Sequence, residues 1–144
     1  MDRTFVTENQ VERERLFDLT AKLTAESMAV KLSNGWSVSD TMAHLAFWDL
    51  YCFSLLAGWE KSGFTAANSS IQATNDAVVA LGRAIPAPAV IQLVRDAAVA
   101  TDRKVEEIAP ELALAIIEGG QSNYLRRSLH RNLHLNKIQD ELGL

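Results

Sequence analysis

Cysteine is almost missing from this chain. The single thiol, Cys52, excludes an intrachain disulfide and fits a reducing compartment. Positive charge is scarce too. Fourteen lysines and arginines face 18 acids, a net charge of -4, and no basic run exceeds two residues. Nucleic-acid binders usually show a basic face, so that class is set aside. No apolar run nears the roughly 20 residues of a membrane span. The opening MDRTFVTENQ has no apolar signal core. The expectation is a cytoplasmic protein with neither membrane nor nucleic acid as partner. Glycine and proline are few, 7 and 3, and badly placed for a sheet. β-branched residues are scattered rather than alternating. What is present is a helical pattern nearly throughout. With 144 residues, 48% apolar and 22% charged, the chain suits one soluble domain over 1–144 with a real core.

Four long helices are predicted, which makes a four-helix bundle. The first starts after Thr7, with Thr7 and Gln10 as a capping box, and runs to about residue 22. Val11, Leu16, Leu19 and Leu23 form its inner stripe. Asn34-Gly35 then makes a tight turn. Ser37 caps the second helix, with Asp40 three residues on. That helix ends near Gly58 or Lys61. His44, Phe47, Trp48, Tyr51, Cys52, Leu55 and Trp59 share one of its faces, while Met42, Phe53 and Leu56 lie on the far side. It is apolar on more than one face, so it belongs at the centre or at a dimer contact. Residues 62–73 form a polar connection, and a shorter helix spans about 74–83. Pro88 opens the third long helix, whose stripe is Val90, Ile91, Val94, Ala98, Thr101 and Val105. A short turn at 111–117 ends at Gly119-Gly120. The fourth helix runs from Ser122 to about Leu142. Leu129 and Leu133 on one side and Ile138 on the other place His130 and His134 inside its buried arc.

These two are, with His44, the only histidines. His130 and His134 stand one helical turn apart, about 6 Å along the axis. Both rings point the same way and can share one ion at little extra cost in ordering. His44, on the core face of the second helix, can supply a third nitrogen. Imidazole suits zinc, nickel, copper or iron(II), and three protein ligands leave positions open for chemistry. The alternative is three hydrogen-bonded core histidines that bind nothing. An i, i+4 pair alone does not decide between them.

Gly35-Trp36-Ser37-Val38-Ser39-Asp40, followed by Ala43-His44-Leu45-Ala46-Phe47-Trp48-Asp49, resembles the second-helix signature of DinB-like proteins. That superfamily includes the metal-binding domain of mycothiol-dependent maleylpyruvate isomerase. His130-x-x-x-His134 followed by Ile138 resembles its fourth-helix motif. The resemblance covers nearly the whole chain. It implies a four-helix bundle with a long connection between helices two and three. It also implies a divalent metal on His44, His130 and His134, and often a homodimer. Characterised relatives use the ion to activate a low-molecular-weight thiol such as mycothiol, bacillithiol or glutathione, for isomerisation or S-transfer. The expected function is therefore a metal-dependent transferase or isomerase acting on a small molecule, with zinc or nickel as the metal. The rival is a non-catalytic metal- or small-molecule-binding stress protein.

A cation would stabilise a bound thiolate, or lower the pKa of bound water for hydrolysis. Neither route needs a protein nucleophile, and Cys52 reads as core packing. Trp48 and Tyr51 share the His44 face and are candidates to line the pocket. Asn123 and Arg127 lie on the histidine face of the fourth helix. Arg127 either binds an acidic substrate or a thiol carboxylate, or pairs with an acid on the first helix. Asp40 reads as a cap rather than a partner of the metal ligands. Trp36 is expected to pack the corner under the second helix.

Overall fold

Between Val30 and Val38 the chain doubles back on itself. Leu32 O accepts the N–H of Gly35 at 2.9 Å, and the N–H of Leu32 donates to Trp36 O at 2.7 Å. Gly35 has φ +87°, a conformation that a Cβ opposes. This is the Asn34-Gly35 turn that the sequence predicts. Asn34 Oδ1 reinforces it by accepting the N–H of Trp36 at 3.1 Å. Helix α3 (Val38–Ser62) starts at once. Ser37 Oγ accepts the Asp40 N–H at 2.9 Å, and Asp40 Oδ2 accepts the Ser37 N–H at 3.1 Å. The capping box thus forms as predicted.

The structure, a computed structural model, describes residues 1–144. It is all-α. In chain order the helices are α1 (Thr4–Lys22), α2 (Ala25–Ala29), α3, α4 (Ile71–Gly82), α5 (Ala87–Glu107), α6 (Pro110–Glu118) and α7 (Arg127–Leu142). Four of them, α1, α3, α5 and α7, run to 16 residues or more. The chain between α3 and α5 holds residues 63–70 and then α4. No helix is long and apolar enough to cross a membrane. α3 is central, packing on α5, α4, α2 and α7, which explains why it is apolar on several faces.

Three expectations fail, each for a physical reason. Helix α1 begins at Thr4 rather than after Thr7, so Thr7 and Gln10 are interior residues and form no box. Buried Phe5 gives the extra turn a core contact, and Asp2 Oδ1 accepts the N–H of Thr4 at 2.9 Å. Val11 is 56% exposed and outside the inner stripe, where buried Asn9 replaces it. The last helix begins at Arg127, not Ser122. Residues Ser122–Tyr124 form a separate 3-10 turn. Asn9 of α1 makes that break: Nδ2 donates to Leu125 O, and Oδ1 accepts the Ser128 N–H, both at 2.8 Å. The α7 start is capped from another helix, a signal absent from local sequence.

The core has two apolar parts. One gathers Leu16, Leu19, Met42, Leu45, Val90, Val94, Leu135 and Ile138. The other gathers Phe5, Leu56, Trp59, Val105, Ile108, Ala113, Ile116 and Leu125. Each fully buried Leu or Ile contributes about 1.5–3 kcal/mol. Between the two parts, at the level of Asn9, Asp49, Asp102 and Arg131, the four long helices carry a polar layer. Arg131 is fully buried there. It donates from Nη2 to Asp102 Oδ1 at 2.8 Å and Asp49 Oδ2 at 3.0 Å, and from Nη1 to Asp102 Oδ2 at 3.0 Å and Asn9 O at 3.1 Å. Its Nε reaches Asp49 Oδ2 at 3.3 Å. This layer turns the inward face of α7 to Arg131, Leu135 and Ile138. Leu129 and Leu133 are therefore exposed, at 63% and 64%. His130 and His134 sit at the edge of the buried arc, not inside it.

Candidate metal centre

His44 reaches the site from the second turn of α3, because the Ser37 box fixes where that helix starts. His130 and His134 come from successive turns of α7. The structure brings the three rings together: one ligand atom from each lies within 4.8 Å of the others. His44 Nε2 and His130 Nε2 are 2.9 Å apart. Trp36 walls the cluster, its ring 4.8 Å from that of His44 and stacked at 6.4 Å on His134. The corner residue thus packs on the histidines themselves.

All three imidazoles are held neutral. Burial lowers His44 to about 4, helped by His134 and Arg127. Burial, then Arg127 and the other two rings, lowers His130 to about 2. His134 falls to about 4 through burial and Lys137. Neutral imidazole is the form that ligates. The Nδ1 of His44 is buried with no hydrogen-bond partner. Neighbouring nitrogens on one ion bound at about 2.0–2.1 Å stand about 3 Å apart, close to the Nε2 pair here. The residues therefore fit a cation, and the cluster could hold a metal.

The histidines floor a cleft of about 330 Å³. Trp48, Asn123 and Arg127 line it. Tyr51 does not; its ring packs between those of Trp48 and Tyr124, at 5.1 and 6.2 Å. Trp48 Nε1 donates to Asn75 Oδ1 of α4 at 2.9 Å, which leaves the Asn75 amide nitrogen free for the cleft. Arg126 stands at the mouth, paired with Glu8 at 2.8 Å. Asn123 lies on the 3-10 turn rather than on α7. A larger cleft of about 590 Å³ between α3, α4 and α5 is almost wholly apolar and holds no titratable group.

Arg127 pairs with an acid, but on α3 instead of the first helix. Its Nε donates to Asp49 Oδ1 at 2.8 Å, its Nη1 to Asn123 O at 3.2 Å, and its Nη2 to His130 Nδ1 at 3.1 Å. Asp40 stays a cap, with Arg83 at 3.3 Å as a further partner. Cys52 is buried, and that burial pushes its thiol up to about 12, so it is inert packing. Sequence reasoning missed Asn9, Asp49, Asn75 and Asp102. One signal was present for the layer: Arg127 and Arg131, four apart, on a helix that must bury a face.

Fold and cleft together define the class: an all-α, DinB-like protein whose three clustered histidines could bind metal. Residues 10–131 match the family described as mycothiol maleylpyruvate isomerase N-terminal domain, and the chain belongs to it. The matched span takes in His44 and His130 and ends just before His134. No curated protein and no solved structure matches the chain.

Proposed function

We propose that the chain is a DinB-like four-helix bundle of one domain that binds a divalent metal, zinc or nickel, through His44, His130 and His134. It uses the ion on a low-molecular-weight thiol, as a transferase or isomerase for a small electrophilic molecule. One observation carries this reading: three neutral imidazoles converge on the floor of a cleft large enough for a small molecule. The family's description, which names mycothiol, supports the thiol.

A bound cation would supply charge stabilisation that keeps a thiol deprotonated near neutral pH. The remaining work falls to side chains in place. Trp36 shields one side of the cluster from water. Asp49 aims Arg127 at His130. The Asn75 and Asn123 amides and Arg126 line the wall and mouth, where they can hold polar groups of a thiol or its partner. With Cys52 buried, the nucleophile comes from the substrate. Cytoplasmic residence and a homodimer belong to the same proposal. Exposed Leu50 and Leu81 beside the apolar cleft support the dimer.

The test starts with metal analysis of protein purified without a histidine tag, expected to give one zinc or nickel per chain. Mycothiol, bacillithiol and glutathione are then assayed against a panel of electrophiles. A rate above that of the metal-free protein with one thiol supports the enzyme. Metal without any such rate favours the rival, a non-catalytic metal- or small-molecule-binding stress protein, which the lack of an acid or base beside the histidines also suits. Light scattering at the mass of one chain would refute the dimer.

A further inference from the structure

No aspartate, glutamate or lysine lines the histidine cleft, although the chain as a whole carries a net charge of -4. Its permanent charges are two arginines, Arg126 and Arg127. Arg127 is fully engaged: each of its three guanidinium nitrogens already has a partner. Arg126 is not. Only its Nη1 is bonded, to Glu8 at 2.8 Å, and the two side chains are 36% and 42% exposed. A pair so open to water is weakly held, and the guanidinium can exchange it for another carboxylate. Glu8 itself lies on α1, outside the cleft. Asn75 adds donors to the wall, since Trp48 already occupies its Oδ1.

The rim of the same cleft is apolar. Ile71, Leu129 and Leu133 line it, yet they are 63%, 63% and 64% exposed. One exposed leucine is ordinary, but three large aliphatic side chains around one cleft suit a ligand that covers them. On the α7 side they are ordered. Arg126, Leu129 and Leu133 follow at i, i+3 and i+7, one line beside that of His130 and His134. Arg126 immediately precedes α7, so the positive end of the helix dipole lies at the same end of the line. From Arg126 to Leu133 the line is about 10 Å long.

We propose that the small molecule taken by this cleft is an amphipathic carboxylate. Its carboxylate displaces Glu8 from Arg126, which is the specificity-determining residue. Its aliphatic or aryl body covers Leu129, Leu133 and Ile71. A cation would meet two arginines and no acid, and a short hydrophilic diacid would leave the leucines bare. That this molecule is the substrate rests on the metal reading above; the subsite itself does not.

The test titrates full-length 15N-labelled protein, metal-free and zinc-loaded, at low salt. The probes are hexanoate, its neutral counterpart hexanamide, and succinate. With metal-free wild type, hexanoate is expected to move the amide signals of Arg126, Leu129 and Leu133. It should bind about 10-fold tighter than either of the other two. Arg126→Gln should weaken hexanoate about 10-fold and leave hexanamide unchanged. Glu8→Gln, which frees Arg126, should tighten hexanoate about 2–5-fold. Leu133→Ser should weaken it about 3–10-fold. No binding of hexanoate to the metal-free protein would overturn the proposal. So would hexanamide or succinate binding as tightly as hexanoate, or a hexanoate affinity that Arg126→Gln leaves unchanged. Hexanoate bound only by the zinc-loaded protein, whatever residue 126 is, would put the carboxylate on the ion; the subsite then falls and the metal reading stands. Hexanoate bound through Arg126 in a protein that takes up no zinc keeps the subsite and removes the metal reading.

Discussion

Two buried polar groups of side chains lie side by side on α3 and α7, and Arg127 touches both. One is the layer of Asp49, Asp102 and Arg131. There every hydrogen of the Arg131 guanidinium points at an acceptor. Arg13 adds a further bond to Asp102 at 2.8 Å. Burial alone would lower the Arg131 pKa, yet Asp49 and Asp102 more than offset it and hold the proton firmly on. The other group is the histidine cluster. Its rings carry no carboxylate partner, and one buried nitrogen has no partner at all. Helices α3 and α7 contribute to both, a closed set in the interior and an open set at the edge of the buried arc. Burial alone does not separate structure from function here, since His44 is buried much as Asp49 is. Completeness of pairing does: the closed set ties four helices together, and the open set keeps binding capacity in reserve.

The largest effect should come from breaking the closed set. Asp49→Ala leaves Arg131 and Arg127 short of a buried counter-charge, and urea unfolding should lose about 3–5 kcal/mol. A loss below about 1 kcal/mol would mean that the layer does not tie the helices. The open set should respond to acid instead. All three histidines hold protons less tightly folded than unfolded, so the unfolded chain protonates first, from about 6.5 downwards. Stability of the metal-free protein should fall as pH drops from about 6.5 to about 4 and be flat in this respect above 7. His44→Ala should make that fall shallower; an unchanged slope would remove His44 from the account. A smaller loss is expected where the layer caps α7. Asn9→Ala should cost about 1–2 kcal/mol and speed amide exchange at Ser128. Leu133→Ser, outside both sets, should stay within about 0.5 kcal/mol of wild type.

The sequence made some of this legible and hid the rest for identifiable reasons. Asn34-Gly35 and the Ser37–Asp40 box are local chemistry, so the start of α3 and the direction of His44 could be read directly. The central place of α3 followed from apolar residues around most of its circumference. Helix α7 misled because its inward stripe includes a fully buried arginine, while Leu129 and Leu133 face water. Apolar periodicity cannot register a charge whose partners are 29 and 82 positions away. Asn9 was hidden for the same reason: its capping partners lie across the fold on another helix. Arg127 falls on the histidine face in the sequence pattern, but its Asp49 partner, 78 positions away, is out of reach of any local pattern.

The central claim is that the open cluster is a metal site and not a second structural layer. Thermal unfolding with and without zinc, for wild type and His44→Ala purified free of metal, tests it most directly. An ion that binds only the folded form at about 100 times its Kd adds about 2.7 kcal/mol. Wild type should therefore melt several degrees higher in zinc, while His44→Ala melts at the same temperature with and without it. No rise in wild type, or an equal rise in both proteins, would contradict the account.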